Sequence, residues 1–334
     1  MSASMAQDGL EHGGRLGAAR RAFAGAPEPF IDLSTGINPR PWPVPPLDPD
    51  SWGRLPEPEA ELALRVAAAA AYGAATPDMV AAAPGTQLLI QLLPRIFPQA
   101  GLAVLGPTYA EHAACWRAAG TAVAEVERFA ALFDAPAALL CHPNNPDGRR
   151  VGLRALHALA DAMAARGGLL VVDEAFADLE PELVSAATLL PHPALVVLRS
   201  FGKTYGLAGL RLGFALASAA GAAAIRGWLG PWAVAGPALA IGTAALADAP
   251  WRAGEAARLA AEAARLDALL EAAGLRVLGG TRLFRLAEGD AAGWHQRLGR
   301  AGILTRPFAQ QPRWLRFGLP PDEAAWARLA AVLR

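Results

Sequence analysis

At residues 200–213 the sequence reads Ser-Phe-Gly-Lys-Thr-Tyr-Gly-Leu-Ala-Gly-Leu-Arg-Leu-Gly. A short apolar run over residues 195–198 comes directly before it and has the length of a buried strand. Lys203 is the only lysine among the 30 basic residues of the chain, and all the others are arginine. Because arginine supplies positive charge everywhere else, we interpret Lys203 as a residue that does what arginine cannot. Condensation of its amine with an aldehyde is the obvious candidate.

Apolar runs of strand length alternate with helical segments on the N-terminal side of this stretch. The alternation predicts the α/β class, with a large and mainly parallel sheet that helices cover on both faces. Ligands of such sheets usually bind at the carboxyl ends of the strands. The predicted strands are 102–105, 137–141, 169–172 and 195–198, and the predicted helices are 86–97, 110–119 and 153–166.

The pattern changes after Pro237, where a long helix is followed by short strands and a final helix. A chain of 334 residues is long enough for two domains. We expect a large α/β domain over residues 46–235 and a smaller α+β domain formed by residues 1–45, as an N-terminal arm, with residues 236–334. The elements predicted for the smaller domain are helix 250–273, strands 276–278, 283–286, 303–305 and 314–317, and helix 322–333.

Charge and composition argue against several classes of protein. The 30 basic and 30 acidic residues balance and form no run of one sign, which argues against nucleic-acid or membrane-surface binding. Residues 227–247 are uncharged, but their prolines and four glycines make them a poor membrane-spanning helix. The first ten residues lack the pattern of a secretory signal, and Cys115 and Cys141 lack metal-ligand spacing. We therefore expect a cytoplasmic protein with reduced thiols and no metal.

The spacing of Ser200, Lys203 and Arg211 resembles that of the fold-type I pyridoxal-phosphate enzymes, the aspartate-aminotransferase superfamily. This resemblance implies that Lys203 holds pyridoxal 5'-phosphate as a Schiff base, and that Ser200 and Arg211 contact the cofactor phosphate. It also implies that Asp173, which ends the apolar run 169–173, pairs with the pyridine nitrogen. Lys203 and Asp173 are then the catalytic residues. Taken alone, a carboxylate after a strand is as compatible with a helix cap.

Three further segments resemble cofactor-binding segments of the same superfamily. Gly85 and Thr86, at the start of a predicted helix, resemble the backbone nest that cradles the phosphate. Tyr109 resembles the aromatic residue that stacks on the pyridine ring. Asn145, in an Asn-Pro turn, resembles the residue that meets the phenolic oxygen of the cofactor and contacts the substrate. An ordinary helix N-terminus and an ordinary turn are the structural alternatives.

Within the superfamily the sequence is similar to the threonine-phosphate decarboxylase family of cobalamin biosynthesis. The similarity covers nearly the whole chain and is carried by the segments 12–14, 32–39 and 230–237. Phe176 also fits, because related aminotransferases usually have a tyrosine there. The resemblance implies decarboxylation of a small phosphorylated amino acid, O-phospho-L-threonine, to 1-aminopropan-2-ol O-phosphate and CO2. The fold itself does not choose between decarboxylation and transamination.

The same resemblance implies a substrate site and an assembly. Arg306 and Arg316 are expected to bind the phosphate and carboxylate groups of the substrate. Relatives commonly have asparagine where Gly36 stands, and tyrosine, which reaches the neighbouring subunit's cofactor, where Leu55 stands. We expect a homodimer, as in the superfamily, with somewhat weaker cofactor binding. The substrate-binding residues implied are His12, Gly13, Gly36, Asn145, Arg306 and Arg316.

Two alternatives remain open. An aminotransferase of the histidinol-phosphate type would share the cofactor site and the need for a substrate phosphate, although Phe176 and the segment 12–14 count against it. A non-enzymatic regulator built on this fold would bind cofactor or effector only, but the chain has no appended DNA-binding segment or basic patch. A requirement for a 2-oxo acid would distinguish the aminotransferase from the decarboxylase.

Overall fold

The computed structural model describes residues 13–334. The α-helices in this range are α1 (Leu16–Ala22), α2 (Asp50–Gly53), α3 (Pro58–Tyr72), α4 (Thr86–Ile96), α5 (Glu111–Ala118), α6 (Leu153–Ala164), α7 (Phe201–Thr204), α8 (Ala219–Leu229), α9 (Gly236–Ala247), α10 (Ala249–Ala272), α11 (Ala291–Arg300) and α12 (Glu323–Leu333). The strands are β1 (Ile31–Asp32), β2 (Val80–Ala83), β3 (Gly101–Leu105), β4 (Ala122–Val126), β5 (Ala137–Cys141), β6 (Leu170–Asp173), β7 (Leu195–Ser200), β8 (Gly213–Ala217), β9 (Arg276–Thr281), β10 (Phe284–Glu288), β11 (Ile303–Leu304), β12 (Arg306–Pro307) and β13 (Trp314–Gly318).

The described chain divides into two compact units. In sequence the units meet within α10, after Ala253, whereas the sequence analysis places the domain boundary after residue 235. That boundary stays a prediction. The large unit contains residues 42–144 and 150–253, and the small unit contains residues 13–41, 145–149 and 254–334.

The core of the large unit is a seven-stranded sheet with the strand order β2-β8-β7-β6-β5-β3-β4. The strands from β7 to β4 pair in parallel, and β8 is antiparallel to both of its neighbours. Helices α3, α6 and α9 pack on one face of the sheet, and α4, α5 and α8 pack on the other. Continuous apolar runs form the central strands because both faces are buried. The predicted α/β class with a mainly parallel sheet is confirmed.

Three strands of this sheet are absent from the sequence prediction. β2 reads Val-Ala-Ala-Ala and β8 reads Gly-Phe-Ala-Leu-Ala, and alanine favours helices rather than strands. β4 at the sheet edge is partly exposed and has no continuous apolar run. Burial between helices therefore overrides the local preference in β2 and β8.

Residues 227–247 are a helix end, a turn and a second helix. α8 ends at Leu229, and α9 begins at Gly236 with Pro237 in its first turn. No helix within residues 13–334 is both long enough and apolar enough to cross a membrane.

The small unit has the α+β composition expected from the sequence. A four-stranded antiparallel sheet has the order β12-β13-β10-β9, and β1 pairs in parallel with β11. Arg285 in β10 donates to Asp267 in α10 over 2.7 Å, which fixes this long helix against the sheet. The strand predicted at 303–305 corresponds to β11, and the unpredicted strand β12 follows it and brings Arg306 beside β13.

Candidate active site

The single lysine lies just beyond the carboxyl end of a central strand. β7 ends at Ser200 and α7 begins at the next residue, so Lys203 lies in the first turn after the strand. Lys203 Nζ donates to Ser200 Oγ over 3.4 Å, and it lies 5.2 Å from the centre of the Phe176 ring. A Cβ atom at Gly202 would come within 2.7 Å of the Ala208 Cα, so only glycine lets the chain fold back here.

The neighbouring strand ends in a buried ion pair. β6 ends at Asp173, whose Oδ2 lies 2.8 Å from His112 Nε2 and whose Oδ1 accepts a hydrogen bond from the Ala175 amide. Burial alone would lower the pKa of His112, but Cys141 and the hydrogen bond to Asp173 outweigh it and raise the pKa to about 10. Burial alone would raise the pKa of Asp173, but His112 and the charge of Lys203 lower it. Asp173 therefore stays ionised at neutral pH.

His112, Cys141 and Asp173 also form a group of potential metal ligands. Their ligand atoms all lie within 4.8 Å of one another, and all three residues are buried. Because the imidazole nitrogen and the carboxylate oxygen contact each other directly, we assign the group as an ion pair with an adjacent thiol.

An anion cradle lies at the start of α4. Gly85 precedes the helix with φ +85°, and a Cβ atom there would come within 2.7 Å of Arg211 Nη2. Arg211 has a φ of 55°, which is uncommon for a residue with a side chain, and its Nη1 donates to the Ala208 carbonyl over 3.1 Å. Backbone N–H groups from Thr86 onward and the guanidinium of Arg211 together favour an anionic group such as phosphate.

Tyr109 is held in place by a chain of side-chain hydrogen bonds. Its hydroxyl donates to Gln87 Oε1 over 3.1 Å, and Gln87 Nε2 donates to Glu111 Oε2 over 3.0 Å. Burial raises the pKa of Tyr109, so the phenol stays protonated as a donor. The Tyr109 ring stands edge to face against His112, with 5.8 Å between ring centres. An aromatic surface thus adjoins the Asp173 ion pair.

Arg316 is the buried cation of the small unit. Its Nη1 donates to Asn145 Oδ1 over 2.5 Å, and its Nη2 donates to the Ser34 carbonyl over 2.7 Å. Its Nε atom is buried and has no hydrogen-bond partner among residues 13–334. In the pairing of β12 with β13, Arg306 stands directly opposite Arg316. Burial and the charge of Arg306 lower the pKa of Arg316 to about 10, so an anion at this place would be stabilised by both groups.

Gly13 and Gly14 pack against Ser34, whose carbonyl also accepts the hydrogen bond from Arg316. A Cβ atom at Gly13 would overlap the Ser34 carbonyl oxygen, and the Gly14 amide donates to Ser34 Oγ over 2.8 Å. Gly36 is buried two residues after Ser34. His12, the remaining residue predicted to bind substrate, lies outside the described residues.

The residues predicted for the site form two sets, one in each unit. Sequence reasoning missed His112, Asn144 and Ser34. Asn144 binds the Pro107 carbonyl and Thr108, which ties the Tyr109 segment to the end of β5, and its signal was its place beside Asn145. Ser34 acts through its main-chain oxygen, which no sequence pattern reveals. The large unit brings together Gly85, Thr86, Tyr109, Asp173, Ser200, Lys203 and Arg211, and the small unit contains Gly13, Gly36, Asn145, Arg306 and Arg316.

The site combines a lysine and an ionised aspartate at neighbouring strand ends with an anion cradle beside them. This combination is typical of one large enzyme family with this fold. Residues 46–333 match the sequence model of the family aminotransferase class I and II. The chain belongs to this family.

Two relatives are similar over nearly the whole chain. The threonine-phosphate decarboxylase of Sinorhizobium sp is 46% identical over 327 residues, which are 97% of each chain. The threonine-phosphate decarboxylase of Pseudomonas aeruginosa is 45% identical over 330 residues, also 97% of each chain. The histidinol-phosphate aminotransferase of Aeromonas salmonicida is 34% identical over 203 residues, which are 57% of each chain.

Solved structures show the same fold. Histidinol-phosphate aminotransferase from Sinorhizobium meliloti, in complex with pyridoxal-5'-phosphate, has a TM-score of 0.83 at 24% identity, over 99% of this chain and 96% of that one. L-threonine-O-3-phosphate decarboxylase from Porphyromonas gingivalis has a TM-score of 0.73 at 20% identity, over 90% of this chain and 97% of that one. At these identities the structures support the fold alone.

Proposed function

We propose that this protein is a pyridoxal-phosphate-dependent carboxy-lyase that converts O-phospho-L-threonine to 1-aminopropan-2-ol O-phosphate and CO2 in cobalamin biosynthesis. The observation that carries the proposal is the identity of 45 and 46% over 97% of the chain to relatives named threonine-phosphate decarboxylase. Histidinol-phosphate aminotransferases are less similar, with 34% identity over 57% of the chain or 31% identity over 80% of it.

The large unit has residues for the phosphate and for the ring face of pyridoxal phosphate. The anion cradle of Gly85, Thr86 and Arg211, with Ser200, would hold the phosphate, and the gap kept open by Gly85 fits this use. Tyr109 would meet the ring face, and the phenolic oxygen is left to Asn145, which belongs to the small unit. When bound, the cofactor supplies an aldehyde for the amine and a ring that withdraws electrons from the substrate Cα.

Two residues of the large unit would do the proton chemistry. Asp173 is ionised and would hold a proton on the pyridine nitrogen, while the positive charge of His112 keeps the carboxylate in place. Lys203 Nζ, the only ε-amine in the chain, would take up a proton from the substrate ammonium group and donate it to the substrate Cα after CO2 has left.

Arg306 and Arg316 of the small unit suit a substrate with two anionic groups. Arg306 and Arg316 stand opposite each other on paired strands, and Arg316 Nε still has a donor to offer. We propose that they bind the phosphate and the carboxylate of the substrate, with help from Asn145, Gly36, Gly13 and His12. Holding both ends of the substrate would decide which bond at Cα breaks.

The test is turnover of O-phospho-L-threonine by the purified holoenzyme without any 2-oxo acid. We expect CO2 and the amino-alcohol phosphate in equal amounts, and much slower turnover of unmodified threonine, which would leave one arginine without an anion. If turnover depends on 2-oxoglutarate and releases glutamate, the protein is an aminotransferase and the proposal is wrong.

We also propose that the enzyme works as a cytoplasmic homodimer. Both cysteines are unpaired in the structure, as in proteins of a reducing compartment. Large apolar side chains, including Trp52 and Trp228, are more than half exposed on the large unit, where a second copy could cover them.

A further inference from the structure

Asn38 is a buried amide of the small unit for which the proposed reaction has no use. Only 2% of its surface is exposed, and it follows β1 in the loop of residues 33–38. Its Nδ2 donates to Glu255 Oε2 over 3.1 Å. Its Oδ1 accepts hydrogen bonds from the Arg40 amide and from Arg258 Nη2, both over 3.0 Å. Glu255 and Arg258 belong to α10, so the amide ties the loop to that helix.

The neighbours of Asn38 require an amide in one orientation. Glu255 can only accept and Arg258 can only donate, so the nitrogen must face the carboxylate and the oxygen must face the guanidinium. An aspartate would place a second carboxylate against Glu255, and an apolar residue would remove one hydrogen bond from each partner. Asparagine occurs only three times in the chain: Asn145 is a predicted site residue, and Asn144 is its neighbour.

The partners of Asn38 are themselves fixed. Glu255 is only 5% exposed, and it accepts hydrogen bonds from Arg258 Nε and Nη2. Arg40 Nη1 adds a second positive charge 3.5 Å from Glu255. Two guanidinium groups therefore balance the charge of the buried carboxylate and hold it in place, so its hydrogen bond to Asn38 has a fixed position.

The loop that Asn38 anchors also holds Arg316. At its start, the Leu33 amide donates to Leu304, and the Leu33 carbonyl accepts from Gly318 at the end of β13, both over 2.7 Å. The next carbonyl, that of Ser34, accepts the hydrogen bond from Arg316 Nη2. Main-chain pairing fixes the loop before Ser34, and the amide of Asn38 fixes it four residues later.

We propose that Asn38 is a positioning residue for the anion receptor. By locking the loop it holds the Ser34 carbonyl in place, and this carbonyl directs the guanidinium of Arg316 toward the anionic group of the ligand. The identity of that ligand as O-phospho-L-threonine rests on the proposed function, whereas the mechanical role of Asn38 does not.

The test exchanges the amide and the carboxylate between the two residues. Asn38→Asp places two carboxylates together, and Glu255→Gln places two amides together. The double variant Asn38→Asp/Glu255→Gln restores one donor, one acceptor and the original charge. Asp267→Asn, on the same helix but paired with Arg285, is the matched control. Arg316→Ala calibrates the effect of losing the receptor.

Two measurements on the holoenzymes decide the matter: the KM and kcat for O-phospho-L-threonine, and the calorimetric affinity for inorganic phosphate. We expect Asn38→Asp to raise the KM and to weaken phosphate binding by about tenfold, while kcat changes by less than about twofold. The double variant should return both values to within about threefold of the wild type, and Asp267→Asn should change neither.

Different failures have different meanings. If the wild type does not convert O-phospho-L-threonine, the proposed function fails, and the phosphate affinities still test Asn38. If Arg316→Ala weakens phosphate binding but Asn38→Asp leaves it unchanged, the positioning role is refuted. A loss of thermal stability with unchanged KM and phosphate affinity, or no rescue in the double variant, would also refute it, because it would show a purely structural role.

Discussion

Lys203 is the only ε-amine of the chain, so no nearby lysine can replace it. Lys203→Ala is expected to abolish both the visible absorbance of lysine-bound pyridoxal phosphate and all turnover, with an unchanged far-ultraviolet circular dichroism spectrum. Lys203→Arg keeps the charge but cannot condense with an aldehyde, and should be equally inactive. Borohydride-stable labelling of the alanine variant would contradict the assignment.

The ion pair of His112 and Asp173 makes stability depend on pH. The pKa of His112 is raised from 6.5 to about 10, so its contribution is complete below pH 6.5 and is lost as the pH rises to 10. Over this range the free energy of unfolding should fall by up to about 1.4 kcal/mol per pH unit from this group. The pKa of Asp173 is lowered from 3.8, so its contribution is lost only in acid.

Urea unfolding between pH 6.5 and 10 measures this slope. His112→Gln should remove most of it, whereas His157→Gln, which changes a largely exposed side chain, should keep it. A wild-type slope in the His112 variant would show that the pair is not charged.

Sequence patterns predict residues whose own type and spacing indicate a chemical role. They do not reveal residues whose role depends on a contact with a distant neighbour. Lys203 was found because it is the only lysine and has the family spacing to Ser200 and Arg211, and Asp173 was found because it ends an apolar run of strand length. His112 was missed because its role depends on the packing of α5 against the end of β6, and a histidine in a helix carries no such signal. Asn38 was recognised only as part of a family motif, since its partners Glu255 and Arg258 lie more than 200 residues away.

At the scale of elements, the start of α4 can be tested with two glycines that share a positive φ. Gly73, after α3, has φ +78° and ψ 24°, so alanine there should cost about 1–2 kcal/mol of unfolding free energy. Gly85 has φ +85° and ψ 153°, a region that is essentially restricted to glycine, so alanine there should cost more, up to about 3 kcal/mol. Only at Gly85 would the new Cβ meet Arg211, because nothing lies within 4 Å at Gly73. Gly85→Ala should therefore weaken pyridoxal-phosphate binding by about tenfold or more, and Gly73→Ala should not. Equal cofactor affinity in both variants would argue against the cradle.

The pairing of β12 with β13 leads to a prediction about substrate affinity. Guanidinium contacts to a carboxylate or a phosphate are worth about 1.5–3 kcal/mol each, so Arg306→Ala or Arg316→Ala should raise the KM by roughly tenfold to a hundredfold. Arg313→Ala, next to β13 but largely exposed and paired with Glu288, is the control and should have little effect. A normal KM in both test variants would show that neither arginine binds an anion of the substrate.

Element prediction succeeded where burial and local preference agree. β5, β6 and β7 are apolar runs buried on both faces, and each was predicted within two residues of its bounds. β2 and β8 could not be predicted, because their alanines prefer helix and only the space between two helix layers makes them strands.

At the scale of the whole molecule, the strand order of the sheet brings the candidate site residues of the large unit to one edge. β5, β6 and β7 are parallel neighbours that end at Cys141, Asp173 and Ser200, and in the register Cys141 pairs with Asp173. Parallel strands bring their carboxyl ends to one edge, so motifs separated by about 30 residues meet there. The proximity of Asp173 and Lys203 follows from the parallel α/β fold class, so it could be predicted from the sequence.

Among the exposed large apolar side chains of the large unit, we call four the tryptophan patch: Trp52, Leu55, Trp228 and Trp232, each at least 55% exposed. A Cβ atom at Gly236 would overlap the Ser51 carbonyl, so the segment that contains Trp232 runs close to α2, which contains Trp52. Soluble monomers rarely leave such apolar surface uncovered. We therefore predict a homodimer in which a second copy covers the patch.

Sedimentation should give twice the chain mass of 34.6 kDa. The double variant Trp52→Glu/Trp228→Glu would bury two charges in the interface, and it should shift the protein toward the monomer with a loss of activity. Val184→Glu changes an equally exposed apolar side chain outside the patch, and it should leave mass and activity unchanged. The resemblance implies that Leu55 stands where relatives have a tyrosine that reaches the neighbouring subunit's cofactor, so we expect the interface to form without that contact. A wild-type protein that sediments as a fully active monomer would refute both the interface and its need for catalysis.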